Sequence, residues 1–164
     1  MYEQYTNIYA LARKGVGLTQ ERAAERLGIS VESIKKYEND VGTGRIPPES
    51  VVLRMCVVYD TQYLMYQHAL ENSKIAGMMI PANVRPYELA EAILRLQKEV
   101  TDFVKLRDEM IDITYDNVIS EDERPRWEVI LKELNHITAA IMNLKFVPEQ
   151  KEPENGSAKI LNLA

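Results

Sequence analysis

The chain has little of what enzymes and secreted proteins usually need. A single cysteine, Cys56, among 164 residues excludes an internal disulfide. It lies in the apolar run VVLRMCVVY, which indicates a buried small side chain and not a nucleophile. The two histidines, His68 and His136, are far apart, each within a helix-like pattern. With no glycine-rich phosphate loop and no His/Cys metal spacing, the sequence predicts a protein that is not an enzyme and has no metal or cofactor.

Long apolar runs are also absent. No stretch approaches the roughly 20 apolar residues that a helix needs to cross a bilayer. The N-terminal run MYEQYTNIYALARKG lacks the basic start and apolar centre of a signal peptide. Hydrophobic residues make up 46% and charged residues 27% of the chain, which is the balance of a globular protein. We therefore expect a soluble cytoplasmic protein without a membrane partner.

Apolar residues recur every three or four positions, which predicts an all-α fold. A first helix is expected over Glu3 to Lys14, with Ile8, Leu11 and Ala12 buried. Glycines, prolines and capping residues divide the following stretch into shorter helices. These are expected from Thr19 to Leu27, from Ser30 to near Asn39, from Pro47 to Tyr59, and from Asp60 or Thr61 to about Leu70, with a loop over Asp40 to Pro48.

The second half of the chain has longer helical patterns. Residues 73–86 contain a glycine and two prolines without a clean period, which predicts a linker. Residues 87–147 carry two amphipathic series around a polar turn, which predicts an antiparallel helical hairpin. Residues 148–164 are expected to form a flexible tail. The two series are Leu89, Ile93, Leu96, Val100 and Phe103, and then Trp127, Ile130, Leu134, Ile137, Ile141 and Leu144.

A narrow apolar stripe on each hairpin helix suits packing against another helix. That helix can belong to the same chain or to a second copy, and the pattern leaves both alternatives open. Apolar positions off the main stripe favour a dimer, with the hairpin as a dimerisation or effector module. The candidate dimerisation residues are Leu96, Phe103, Trp127, Leu134 and Ile141.

The run LTQERAAERLGISVESIKKYEND, from Leu18 to Asp40, contains the pattern of two short helices joined at a glycine. Ala24 is small where the two helices would cross, and Gly28 lies where the backbone needs φ > 0. Ile34 and Tyr37 are three apart and predict the buried face of the second helix. Its other face is polar, and an α-helix with such a face fits the DNA major groove.

The positions Leu18-Thr19-Gln20-Glu21, Ala24, Leu27-Gly28-Ile29-Ser30, Ile34 and Tyr37-Glu38-Asn39 together resemble the phage-repressor and Cro type of helix-turn-helix regulator. The resemblance covers about residues 5 to 70. It implies a five-helix lambda-repressor-like DNA-binding domain over residues 1–72. It further implies a dimeric transcriptional regulator, often of a bacterial prophage or mobile-element operon, that is associated with the nucleoid.

The resemblance also implies roles for individual residues. Gln20 would contact a phosphate or support the reading helix, and Ser30 would approach the DNA backbone. Val31, Glu32 and Lys36 would face bases, with Ser33 and Lys35 nearer the backbone. Arg13, Lys14 and Arg45 are candidate phosphate contacts, although the segment DVGTGRI lengthens the loop before Arg45 relative to the family.

The formal net charge of −5 has consequences for DNA binding. Residues 1–72 hold eight basic and nine acidic side chains, whereas residues 73–164 hold twelve and sixteen. A near-neutral reader should bind non-specific DNA weakly, because that affinity comes from phosphate neutralisation. Affinity would then rely on base contacts and on a dimer that reads half-sites roughly 34 Å apart. The alternative is a protein-interaction module, such as an antitoxin or developmental scaffold, that binds a protein partner through its C-terminal helices.

Overall fold

The computed structural model describes residues 7–39 and 44–148, and every regular element in these ranges is an α-helix. The predicted all-α fold is confirmed. Residues 3–6 of the predicted first helix, residues 40–43 of the predicted loop and residues 149–164 of the predicted tail lie outside the described residues. The helices are α1 (Ile8–Gly15), α2 (Gln20–Leu27), α3 (Val31–Tyr37), α4 (Glu49–Val58), α5 (Tyr63–Asn72), α6 (Lys74–Met79), α7 (Leu89–Val104), α8 (Arg107–Ile113) and α9 (Arg124–Lys145).

Helix α1 begins later than predicted. Asn7 is its N-cap, and the Asn7 Oδ1 atom accepts hydrogen bonds from the backbone N–H groups of Tyr9 and Ala10, at 3.0 Å each. The predicted burial of Leu11 is wrong, because 47% of this residue is exposed. Tyr9 and Arg13 occupy the buried face instead, together with Ile8.

One hydrophobic core holds helices α1 to α5 together. Ile34, Met55, Tyr59 and Leu64 are at most 1% exposed, and Ala24, Leu27 and Tyr37 are also buried, as predicted. Complete burial of an aliphatic side chain contributes roughly 1.5–3 kcal/mol. The core therefore fixes the position of α3 relative to α2 and α4.

Helices α7 and α9 pack against each other as an antiparallel pair, which confirms the predicted packing of the C-terminal helices. Three contacts define the direction. Asn143 near the end of α9 bonds the backbone of Arg85 just before α7, His136 faces Glu99 in mid-helix, and Arg126 near the start of α9 pairs with Asp112 of α8. A two-residue turn at Lys105 and Leu106 separates α7 from α8.

The segment predicted as a linker, residues 73–86, includes the short helix α6 and a buried anchor. Val84 is 3% exposed and packs with Tyr66 of α5 and Ala139 of α9. The Tyr66 hydroxyl donates to the carbonyl oxygen of Pro81 and accepts from the backbone N–H of Val84. The segment is therefore tied to both halves of the chain.

An aromatic cluster joins α5 to the end of α9. The rings of Tyr63, Tyr66 and Phe146 lie 5.6–5.9 Å apart between centroids. Such pairs add about 0.5–1.5 kcal/mol beyond the area that they bury. No helix in the described ranges is both long and apolar enough to span a bilayer.

Candidate nucleic-acid interface

Side-chain caps begin α2 and α3, and Gly28 forms the turn between the two helices. Thr19 Oγ1 accepts from the backbone N–H of Arg22 at 3.2 Å, and Ser30 Oγ accepts from that of Ser33 at 3.1 Å. Gly28 lies between the helices with φ of 66°, in the left-handed region that glycine adopts at least cost. The predicted caps and the predicted glycine turn are confirmed.

Helix α3 has one buried face and one solvent-exposed face. Ile34 is fully buried and Tyr37 is 8% exposed, so both point into the core. Glu32, Lys35 and Lys36 are exposed on the other side of this helix. A short helix with one face packed on the core and a polar, exposed opposite face is suited to enter a DNA major groove.

Glu32 and Lys36 form an ion pair one turn apart, with 3.7 Å between Oε1 and Nζ. Their side chains are 68% and 56% exposed, so the pair contributes at most about 0.5 kcal/mol. Both side chains can therefore leave each other for a base edge at little cost. Lys36 can donate to guanine, and Glu32 can accept from the amino group of cytosine.

Two of the predicted DNA-contact residues, Val31 and Ser33, are less exposed than Glu32 and Lys36. Val31 is half-buried and packs against the core, so only part of its side chain is accessible to a thymine methyl group. Ser33 is also half-buried, and its hydroxyl lies 2.9 Å from that of the exposed Ser30. These two serines hold the start of α3 and keep their hydroxyls at its N-terminus, where backbone phosphates bind readily.

The structure does not favour the predicted role of Arg13 as a phosphate contact. Arg13 is 6% exposed, and its Nε and Nη2 atoms donate to the two carboxylate oxygens of Glu38 at 2.6 and 2.7 Å. Its Nη1 donates to the carbonyl oxygen of Leu18. The hydrogen bond to Glu38 raises the pKa of the guanidinium, so Arg13 stays charged. The Arg13 side chain points inward because its two hydrogen bonds to Glu38 connect α1 to the end of α3.

Gln20 contacts the end of α3, which supports the bracing alternative of its two predicted roles. Its Nε2 atom donates to Glu38 Oε2 at 2.9 Å, so Glu38 receives both Arg13 and Gln20. At the same end of α3, Asn7 Nδ2 donates to the carbonyl oxygen of Tyr37 at 2.9 Å. Sequence reasoning missed Glu38 and Asn7 as positioning residues. Glu38 alone had a signal, as part of the Tyr37-Glu38-Asn39 group.

Arg45 lies beside α3 despite the lengthened loop. Its backbone N–H donates to the carbonyl oxygen of Lys36 at 2.9 Å, and Arg45 is exposed. A Cβ atom at Gly44 would overlap the carbonyl oxygen of Asn39, so the chain needs glycine there to come this close. Lys14, at the end of α1, is exposed as well. The structure therefore gathers Lys35, Lys36 and Arg45 around α3.

Residues 10–63 match a family model described as a helix-turn-helix domain. No curated protein and no solved structure matches the chain. The match spans α2, the Gly28 turn and α3, where the geometry above is found. The fold and the match together define the N-terminal part of the chain as a helix-turn-helix DNA-binding domain, the kind of domain that transcriptional regulators carry. Within that class it is of the Cro and C1 repressor type, as the resemblance implied.

Proposed function

We propose that the protein is a sequence-specific regulator of transcription that binds a palindromic operator in double-stranded DNA as a homodimer. It acts as a repressor of a bacterial, prophage or mobile-element operon and is found in the cytoplasm on the nucleoid. The observation that carries the proposal is the exposed polar face of α3, with Glu32, Lys35 and Lys36 opposite the buried Ile34 and Tyr37.

Base reading is assigned to Glu32 and Lys36, while Lys35, Arg45 and Ser30 contact phosphates. Base contacts supply discrimination, and each good bidentate pair is worth about 1–3 kcal/mol. Phosphate contacts fix the register and make binding salt-dependent. The few cations near α3 and the net charge of −5 favour weak non-specific binding, so specificity depends on α3.

The first test is selection of random-sequence DNA with the purified protein at two salt concentrations. We expect a palindromic site whose half-sites are about one helical turn apart. The double variant Glu32→Ala and Lys36→Ala should then lose at least about tenfold in affinity for that site, since two base contacts are removed. Unchanged protection of the selected site by this variant would contradict the assignment of the reading face.

A matched control exists on α7. Glu91 and Arg95 form an exposed pair with the same i,i+4 spacing, at 2.8 Å. Replacing both by alanine removes similar charges and a similar helical ion pair far from α3 in the sequence. This control should keep operator affinity within about twofold, because surface pairs contribute little to the fold.

The dimer is assigned to the apolar stripe of α7 and α9. Leu96, Phe103 and Trp127 are half-buried within one chain, whereas Leu134 is 36% and Ile141 is 44% exposed. The stripe therefore has contacts inside the chain and an uncovered edge, which supports packing against the same edge of a second copy. On α7, the neighbouring Ile93 and Val100 are 38% and 44% exposed.

Substitution of Leu134 and Ile141 by lysine should convert the dimer to a monomer in light scattering, because it places two charges in an apolar contact. Val129, which is 48% exposed on another side of α9, offers the control variant Val129→Lys. Monomeric wild-type protein at assay concentrations would contradict the dimer.

The uncovered apolar side chains of the C-terminal helices also favour a second candidate function, capture of a protein partner. Recovery of one stoichiometric partner without an enriched DNA site would support it. Tight operator binding by the purified protein alone would contradict it as the main function.

A further inference from the structure

We propose a divalent transition-metal site between α7 and α9, with Glu99, Glu133 and His136 as its protein ligands. Nothing in the DNA-binding function requires this site, and the sequence predicted none. Its three donor atoms lie within 4.8 Å of one another. Nδ1 of His136 is 3.3 Å from Glu133 Oε2 and 3.8 Å from Glu99 Oε2.

These separations suit a shared metal ion. Zinc binds imidazole nitrogen and carboxylate oxygen at about 2.1 Å, which places tetrahedral ligands roughly 3.4 Å from one another. A proton on Nδ1 can serve one carboxylate oxygen but not both, and 3.8 Å is beyond a hydrogen bond. A metal ion at the centre would satisfy both carboxylates and relieve their mutual repulsion.

The helices hold the ligands in register. Glu133 and His136 are three residues apart on α9, so their side chains meet on one face. The same Glu-x-x-His spacing supplies ligands in helical-bundle metal centres, where a facing helix contributes another glutamate. Here Glu99 of α7 occupies that facing position.

The surroundings leave the donor atoms available. Glu99, Glu133 and His136 side chains are 20%, 22% and 38% exposed, and they line a surface cavity of about 380 Å³. Lys98 bonds the other oxygen of Glu99, Oε1, at 3.2 Å. Oε2 of Glu99 is the oxygen that faces His136. Water from the cavity would complete the coordination.

One nitrogen and two oxygens favour a borderline ion, such as Zn²⁺ or Co²⁺, over Mg²⁺, which prefers oxygen alone. Bound metal would cross-link α7 to α9, the two helices that carry the apolar stripe. Metal should therefore raise the melting temperature of the hairpin.

The test is titration of untagged, full-length protein with Co²⁺, followed by visible absorption, with Zn²⁺ as competitor. We expect one ion per chain, displacement by Zn²⁺ and a higher melting temperature with metal. His136→Ala and Glu133→Gln should each weaken binding at least about tenfold. Glu128→Gln, an exposed carboxylate on the same helix, should bind as the wild type does.

Two further measurements keep the test decisive. Circular dichroism establishes that the variants keep their helices, and Glu99→Gln is a third ligand variant if one of them unfolds. Cys56→Ser should retain the Co²⁺ spectrum, because the thiol is no ligand in this proposal. Wild-type affinity in His136→Ala, loss of binding in Cys56→Ser, or no binding at millimolar Co²⁺ and Zn²⁺ would each overturn the site. None of these readouts involves DNA.

Discussion

Glu38→Ala removes the carboxylate that accepts hydrogen bonds from Arg13 and Gln20 in the helix-turn-helix domain. The Arg13 and Glu38 side chains are 8% and 6% exposed, and the carboxylate accepts two bonds from Arg13 and one from Gln20. The variant leaves a buried guanidinium without its counter-charge. Arginine cannot escape by losing its proton, because its pKa is too high.

Loss of one partner from a buried ion pair costs about 3–5 kcal/mol, since the remaining charge stays desolvated. A urea m-value of about 2 kcal/mol per M converts this cost to a fall of about 2 M in the unfolding midpoint. The measurement is urea unfolding of the full chain, followed by far-ultraviolet circular dichroism. Glu25→Ala is the matched control, because it breaks the Arg22–Glu25 pair, whose side chains are 70% and 68% exposed. That control should stay within about 0.5 kcal/mol of wild type.

The double variant Arg13→Met and Glu38→Leu tests the cause of the loss. Replacing both charges by apolar groups removes the unpaired guanidinium, so the double variant should be more stable than Glu38→Ala. Equal stability of Glu38→Ala and Glu25→Ala would refute the reasoning. It would mean that Arg13 readily reaches water, and its prediction as a phosphate contact would regain support.

Three other predictions concern separate parts of the chain. Gly28→Ala should lower the free energy of unfolding in urea by about 1–2 kcal/mol, because alanine is strained at φ of 66°. Gly15→Ala is the control, because φ is ordinary there and an added Cβ meets no atom. Equal effects of the two substitutions would contradict the strain. Burial lowers the pKa of His68, so stability present above about pH 6.5 is lost as the pH falls through the folded-state pKa. His68→Gln should flatten this dependence in urea unfolding between about pH 7 and 5, and an unchanged slope would count against it. Phe146→Ala should speed amide hydrogen exchange in the last turns of α9, because the half-buried contact with Tyr63 and Tyr66 contributes about 1–3 kcal/mol. Unchanged protection would mean that other contacts hold the end of α9 against α5.

Local chain chemistry was enough to predict the α2–α3 unit. Thr19 and Ser30 cap their own helices, and Gly28 relieves its own backbone, so each signal acts within a few residues. The helical period likewise predicts the buried Ile34 and Tyr37, because it depends only on spacing along one helix. The start of α1 was missed because the apolar pattern does not reveal the Asn7 side-chain cap at which that helix begins.

Only tertiary structure decided which polar side chains turn inward. Arg13 and Lys14 are neighbours with similar chemistry, yet Arg13 turns inward because Glu38 lies 25 residues later on another helix. Glu99 and His136 have no relation in sequence, and they meet because α7 and α9 run antiparallel. The sequence by itself determined the helix-turn-helix motif and most of the helices, although not α6 or the start of α1. Packing between distant helices decided the inward direction of Arg13 and the proposed metal site, because a one-dimensional pattern contains no distances between helices.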